Sequence, residues 1–143
     1  MNWKHEAIDK LKGYDAHKAA LISIPEEIQR LESAARSIRS ATSDGTAVSG
    51  GGNKREDMLL SNIVLREELE RQLDQAKQWV SVVERSLEIL DNEEKRILEL
   101  MYIHRRSGSV EQLCSELSIE KTSVYRYRDT ALHKFTTAMY GVE

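Results

Sequence analysis

Seven apolar residues near the middle of the chain are spaced alternately four and three residues apart, and this pattern restricts the fold more than any other feature. They are Leu69, Leu73, Ala76, Val80, Val83, Leu87 and Leu90. The alternation places all seven on one face of an α-helix, as in helices that pack lengthwise against another helix. It predicts a helix over residues 54–91, which would be about 57 Å long. Because a single helix of this length would leave its apolar face in water, we expect a second helix to cover it.

The covering helix is predicted over residues 3–42, where apolar residues recur at steps of three, four or seven. Pro25 predicts a break or kink near residue 24, because proline lacks a backbone N–H. Residues 43–53 are rich in Ser and Gly, which predicts a flexible loop. The two helices would then form a long antiparallel, coiled-coil-like hairpin over residues 1–90. The same apolar face could also pair two chains, so the spacing leaves a homodimer open.

The composition favours an all-α protein, because only seven glycines and one proline are present to interrupt helices. No apolar run approaches the ~20 residues that span a bilayer, so no membrane contact is expected. The charged N-terminus does not resemble a secretory signal. The single cysteine, Cys114, allows no internal disulfide and favours a reducing, cytoplasmic setting. The His, Cys and acidic residues show neither metal-ligand spacing nor a catalytic arrangement, so we expect no enzyme, metal or cofactor.

A second domain is predicted over residues 91–143. Asp91, followed three residues later by Glu94, is typical of the capping box at a helix N-terminus. After Ser107-Gly108 we expect a short helix over Ser109–Leu117 and a longer one over about Glu120–Met139. The domain is therefore predicted to be a small helical bundle that follows the hairpin.

The last two helices have the residue pattern of a helix-turn-helix. Cys114 is small, as needed where two helices cross closely, and Ser118-Ile119 supply the turn. The inner face of the second helix is predicted to contain Val124, Tyr127, Ala131, Leu132 and Phe135. Its outer face is predicted to contain Lys121, Thr122, Ser123, Tyr125, Arg126 and Asp129, with Arg128 at the flank.

The residues of this outer face are those that DNA binding needs. The N-terminal turns of a recognition helix enter the major groove. Arg can donate two hydrogen bonds to guanine, while Lys, Ser, Thr and Tyr can bind phosphates. The whole chain has a net charge of −3, so charge alone would not indicate nucleic acid. We therefore expect double-stranded DNA as the partner because of the helix pattern and its polar face.

The stretch SVEQLCSELSIEKTSVYRYRDTALHKF resembles region 4 of bacterial sigma factors, and the preceding LDNEEKRILELMY is similar to the first helix of that region. Together with the charged helical N-terminal half, the layout resembles phage late-gene regulators of the ArpU/RinA type. The sequence departs from the region 4 pattern at two positions. Ser118 replaces the usual turn glycine, and Thr130 replaces an arginine. The resemblance implies a promoter-proximal DNA site and leaves contact with RNA polymerase open.

Two other functions fit the same helices. A packaging or assembly adaptor, similar to a small terminase subunit, would oligomerise through the hairpin. A polymerase-binding protein could use the region 4-like helices for protein contact alone, without DNA contact. Genome neighbourhood and the oligomeric state would separate these alternatives from a transcriptional regulator.

Overall fold

The computed structural model describes residues 1–43 and 51–142. In this part of the chain the protein is all-α, with no β-strand. The α-helices are α1 (Trp3–Lys12), α2 (Tyr14–Ser43), α3 (Gly51–Leu87), α4 (Asn92–Leu98), α5 (Ser109–Leu117) and α6 (Lys121–Tyr140). One turn of π-helix, Glu99–Ile103, follows α4 directly. In the described ranges no helix combines the length and apolar character needed to cross a membrane.

Contacts divide the chain into two compact units. The terminal unit contains Met1–Lys18 and Gln78–Glu143, and the middle unit contains Ala19–Lys77. This grouping follows contacts, whereas the predicted boundary at residue 90 follows sequence motifs, and that boundary stays a prediction. The first 18 residues therefore share a core with the C-terminal helices.

The break predicted near residue 24 does not occur, and the alternative of a kink there stays a prediction. Helix α2 continues through Pro25, and the helix is interrupted at Gly13 instead. Because Pro25 is exposed, water can bond the Leu21 carbonyl that proline leaves without an N–H partner. At Gly13, a side chain would collide with Trp79, since a Cβ atom there would lie 2.6 Å from Trp79 Cζ2. The glycine is thus needed for close approach of an aromatic ring.

The predicted flexible loop at 43–53 lies largely outside the described residues, which stop at Ser43 and resume at Gly51. At its two ends the prediction is wrong, because Ser43 closes α2 while Gly51, Gly52 and Asn53 begin α3. Glycine has low helix propensity, but it is tolerated in a first turn when the following residues continue the helix.

The predicted capping box at the start of α4 is confirmed. The Asp91 carboxylate accepts a hydrogen bond from the Glu94 N–H at 2.8 Å, and Glu94 Oε1 accepts one from the Asp91 N–H at 3.1 Å. The π-helical turn that follows ends at His104, whose N–H donates to the Glu99 carbonyl at 2.7 Å. The His104 ring lies between two carboxylates, with Nε2 2.6 Å from Asp15 Oδ2 and Nδ1 3.1 Å from Glu99 Oε1. These contacts hold the wider turn against the start of α2.

The terminal unit has two apolar clusters, which position α5 and α6. The first joins α1, the end of α3, α4 and α6, and consists of Ala7, Leu11, Val83, Leu90, Leu98, Ala131, Leu132 and Phe135. The second joins α4, the π-turn, α5 and α6, and consists of Ile97, Leu100, Met101, Leu113 and Val124. Tyr102 packs against both clusters. Helix α6 is therefore held along its length by apolar contacts.

The middle unit contains a polar contact between its two helices. Leu31 and Ala35 of α2 are buried. Buried Asn62 of α3 donates through Nδ2 to the Leu31 carbonyl at 2.8 Å. Its Oδ1 accepts a hydrogen bond from Arg66 Nε at 2.8 Å, so both polar atoms of the buried amide are satisfied.

Candidate nucleic-acid interface

A tight turn joins α5 to α6. Ser118 ends α5 in the left-handed region, with φ 55° and ψ 45°. The backbone N–H groups of Ser118 and Ile119 both donate hydrogen bonds to the Cys114 carbonyl. Residues other than glycine adopt this conformation at a cost of about 1 kcal/mol, so the turn tolerates the serine that replaces the glycine of the region 4 pattern.

The inner side of α6 is predicted correctly at four of its five positions. Val124, Ala131, Leu132 and Phe135 are fully buried. The prediction for Tyr127 is wrong, because this residue is 42% exposed. The buried side of α6 is displaced towards Leu132 and Thr136, which leaves Tyr127 at the opposite edge. There its ring lies 5.3 Å from the guanidinium carbon of Arg126.

The outer side of the first turns of α6 is polar and accessible. Lys121, Thr122 and Arg126 are exposed, whereas Ser123 and Tyr125 are half-buried. The N-cap residue, Glu120, makes no capping hydrogen bond through its side chain. The first N–H groups of a helix have no partner within the helix, so those of α6 remain available to an anion.

Two further predicted contact residues are paired with each other. Arg128 donates to Asp129 Oδ1 through Nε at 3.1 Å and Nη2 at 2.9 Å, and its guanidinium carbon lies 5.1 Å from the Tyr125 ring. The carboxylate offsets part of the charge of Arg128. Among the seven predicted residues, the exposed cationic groups that remain are thus Lys121 and Arg126.

A cleft beside α6 adds cations that the sequence analysis did not include among the site residues. Arg105 and Arg106, from the loop before α5, share a cleft of about 280 Å³ with Lys121 and Tyr125. One acidic residue, Glu111, also lines it. The two arginines precede α5 by several residues and reach Lys121 only through the fold. Their adjacency in sequence was the one available signal, and paired arginines are common in loops.

Side-chain bonds fix α5 against α4. Arg96 donates to both carboxylate oxygens of Glu116, each at 2.9 Å, and to Glu99 at 3.1 Å. The bonds from Arg96, with a further one from Gln112, lower the pKa of Glu116 to about 2. The hydrogen bonds to Glu116 and Glu99 raise the pKa of Arg96. Because Gln112 accepts a hydrogen bond from Arg106, this network connects the α4–α5 contact to the cleft.

A second ion pair fixes α6 against the start of α4. Lys134 Nζ lies 2.8 Å from Glu94 Oε2, and the Glu94 side chain is largely buried. The hydrogen bond to Glu94 raises the pKa of Lys134. Glu94 therefore both caps α4 and binds α6.

The described residues contain no group of three or more His, Cys, Asp or Glu side chains arranged to hold a metal ion. Cys114 is half-buried and packs at the edge of the second apolar cluster. The exposed polar face of α6 and the adjoining cleft, which share Lys121, form the candidate site.

Comparison with known proteins identifies a family for the chain. No curated protein and no solved structure matches it. A family model with the description "Protein of unknown function (DUF1492)" matches residues 37–136, which is more than half of the chain and includes α3 to α5 and most of α6. The chain therefore belongs to the DUF1492 family.

Proposed function

We propose that the chain is a sequence-specific DNA-binding transcriptional regulator that uses α5 and α6 as a helix-turn-helix. The observation that carries this proposal is the two-sided character of α6. Lys121, Thr122 and Arg126 are exposed on its first turns, while Val124 and Ala131 are fully buried on the opposite side. A recognition helix needs this division, because one face must pack on its own domain while the other enters the major groove.

In the proposed complex the N-terminal half of α6 lies in the major groove. Arg126 reads base edges, because a guanidinium can donate two hydrogen bonds to guanine. Lys121, Thr122 and the first N–H groups of α6 bind a phosphate. Arg105 and Arg106 extend the contact to a neighbouring phosphate, since their cleft adjoins Lys121. The contact surface is thus a groove-reading helix beside a cationic cleft.

Two copies of the chain form part of this proposal. The chain carries a net charge of −3, and phosphate neutralisation supplies much of the affinity for DNA. A homodimer would double the number of phosphate contacts and would match two half-sites about 34 Å apart. The accompanying fold is a long helical hairpin formed by α2 and α3, supported by the contact of Asn62 with Leu31.

The resemblance to sigma region 4 and to ArpU/RinA-type proteins supports the biological setting that we propose. The regulator would control phage or prophage late genes in the cytoplasm, bind near a promoter and contact RNA polymerase. Co-purification with polymerase tests that contact separately from DNA binding.

The direct test is selection of bound duplexes from a random double-stranded DNA pool, followed by fluorescence anisotropy with the enriched site and a scrambled duplex. Arg126→Ala should weaken binding to the enriched site about 5- to 100-fold, the effect of losing one bidentate base contact. Lys121→Ala should weaken binding to both duplexes and reduce the salt slope by about one. Arg85→Ala is the matched control, because Arg85 is exposed on α3 outside the proposed interface.

The proposal would be overturned by a pool that yields no enriched sequence. It would also be overturned if Arg126→Ala and Arg85→Ala bound the enriched site equally well. A ring-sized assembly in light scattering, combined with the absence of DNA binding, would instead favour a packaging adaptor.

A further inference from the structure

The middle unit has an apolar surface on α3 that faces solvent. Met58, Leu60, Val64 and Leu65 are 48%, 60%, 57% and 46% exposed. By contrast, the residues of the regular apolar face further along the chain are buried or half-buried within the single chain. The regular apolar face from Leu69 to Leu90, which left a homodimer open, is therefore already covered within one chain. The apolar residues that remain exposed lie nearer the start of α3.

Two of the exposed residues, Met58 and Leu65, lie on one regular face, and Leu60 and Val64 flank it. Lys54, Met58, Ser61, Leu65 and Glu68 are spaced four, three, four and three residues apart, and we call this set the α3 stripe. The spacing puts all five side chains in one line along the helix. A shallow groove over Ser61 is lined by Leu60, Val64, Leu65 and Glu68. A small residue at the centre of an apolar line allows a second helix to approach closely.

The charges of the α3 stripe are self-complementary in one direction only. Lys54 and Glu68 each lie seven residues from Ser61, about 10.5 Å along the helix. Two antiparallel copies related by a two-fold axis through Ser61 would place Lys54 of each copy opposite Glu68 of the other. Two parallel copies would place Lys54 against Lys54 and Glu68 against Glu68. The geometry points to a second copy of this chain, docked antiparallel along the α3 stripe, as the occupant of this surface.

The ion pairs between copies compete with contacts within one chain. Glu68 forms an ion pair with Arg71 and accepts a hydrogen bond from Gln72 Nε2 at 3.2 Å. The Glu68 side chain is 44% exposed, so it keeps an accessible side for a lysine from the other copy. We assign affinity mainly to the four apolar side chains and orientation mainly to the charges, in line with the division of roles in protein interfaces. The two-fold arrangement makes the interface isologous, which closes at two copies.

This inference rests on the homodimer included in the proposed function, and it can fail or succeed separately from DNA binding. Sedimentation equilibrium of the full chain without DNA, from about 1 to 200 μM, measures self-association directly. Val64→Asp should weaken the dimer at least tenfold, or about 1.4 kcal/mol, because it puts a carboxylate into the apolar contact. Ile89→Asp is the matched control, since Ile89 is 61% exposed and lies beyond the end of α3, outside the stripe and its flanking residues.

Charge reversal tests the orientation. Lys54→Glu and Glu68→Lys should each weaken self-association, because each creates two like-charge pairs in the antiparallel dimer. An equimolar mixture of the two variants should recover it, since the mixed dimer has two opposite-charge pairs. Lys77→Glu and Glu70→Lys are the matched controls, because both residues are exposed and lie off the stripe. Circular dichroism verifies that every variant keeps its helix content.

The inference is overturned if the chain is a monomer throughout this concentration range. It is also overturned if Val64→Asp dimerises like Ile89→Asp, or if the mixed charge variants do not recover. A dimer with these properties that binds no DNA supports the inference and overturns the proposed function. A chain that is monomeric without DNA but binds a selected site with the expected Arg126 dependence overturns the inference and supports the DNA-binding part of the proposed function.

Discussion

Replacing Gly13 with alanine should destabilise the protein, although alanine is the better helix former. In a helix interior, alanine is favoured over glycine by about 1 kcal/mol. Gly13 has helical dihedral angles, φ −86° and ψ −4°, and its N–H donates to the Asp9 carbonyl at 3.0 Å. Helix propensity alone therefore predicts stabilisation. However, an added Cβ would lie 2.6 Å from Cζ2 and 3.1 Å from Cε2 of Trp79, well inside van der Waals contact.

The Trp79 ring has little freedom to move away. Its Nε1–H donates to the Lys10 carbonyl at 2.9 Å, and Lys10 Nζ lies 3.8 Å from the ring centroid. On another side the ring stacks on His17 with a centroid separation of 4.0 Å. Overpacking costs about 1–3 kcal/mol, and loss of the indole hydrogen bond costs about 1 kcal/mol more. After subtracting the gain in helix propensity, we expect Gly13→Ala to lower the free energy of unfolding by about 1–3 kcal/mol.

Urea denaturation followed by circular dichroism measures this change. A double-mutant cycle with Trp79→Leu is the control, because the smaller side chain removes the atoms that the new Cβ would meet. In the Trp79→Leu background, Gly13→Ala should become neutral or stabilising. If Gly13→Ala stabilised the otherwise unchanged protein, or had the same effect in both backgrounds, the steric reasoning would be refuted.

Three other changes test the terminal unit. The hydrogen bonds from Arg96 and Gln112 lower the pKa of the Glu116 carboxylate from 4.5 to about 2. The ionised carboxylate therefore stabilises the fold fully above pH 4.5, and this stabilisation is lost as the pH falls through 2. In urea titrations from pH 7 to pH 2, wild type should therefore be more stable than Glu116→Gln near neutrality by a margin that shrinks towards pH 2, and a margin that stayed constant over this range would contradict this. Ser118→Gly should raise the free energy of unfolding by up to about 1 kcal/mol, because glycine adopts the positive φ without strain. Thermal melts measure this change, and a melting temperature below that of wild type would contradict it. Phe135→Ala should lower the free energy of unfolding by about 3–5 kcal/mol in urea melts, because the ring is fully buried. A decrease in the free energy of unfolding below about 1 kcal/mol would contradict the place of Phe135 in the core.

Features set by short-range interactions were predictable from the sequence. Asp91 and Glu94 form the capping box that their spacing indicates, because both partners lie within one helical turn. The short helix Ser109–Leu117 and the turn at Ser118 likewise follow from a local change in residue pattern. The all-α class followed from composition and periodicity together.

Features set by distant contacts were not predictable. Proline interrupts helices in general, yet α2 continues through Pro25. The interruption at Gly13 instead depends on Trp79, which lies 66 positions away in the sequence. The periodicity of α6 also placed Tyr127 inside, since spacing fixes which residues share a face but not where the buried side is centred.

At the candidate site the same distinction applies. The exposed positions of Lys121 and Arg126 agree with the helix pattern. The pairing of Arg128 with Asp129 and the proximity of Arg105 to Lys121 depend on side-chain conformation and on the fold of the preceding loop. These contacts determine how much positive charge the face presents, which a count of basic residues does not reveal.

The shared core of α1 and α6 bears on how the protein is made and cut. Helices α1 and α6, far apart in the sequence, are in direct contact, with the rings of Trp3 and Tyr140 4.8 Å apart. During synthesis α1 emerges before α6, so the side chains of Ala7 and Leu11 reach their final neighbours only after Phe135 has been added. A fragment starting at residue 91 lacks α1 and would leave the α1-facing apolar side of α6 in water, so removal of α1 should impair the surface that α6 presents.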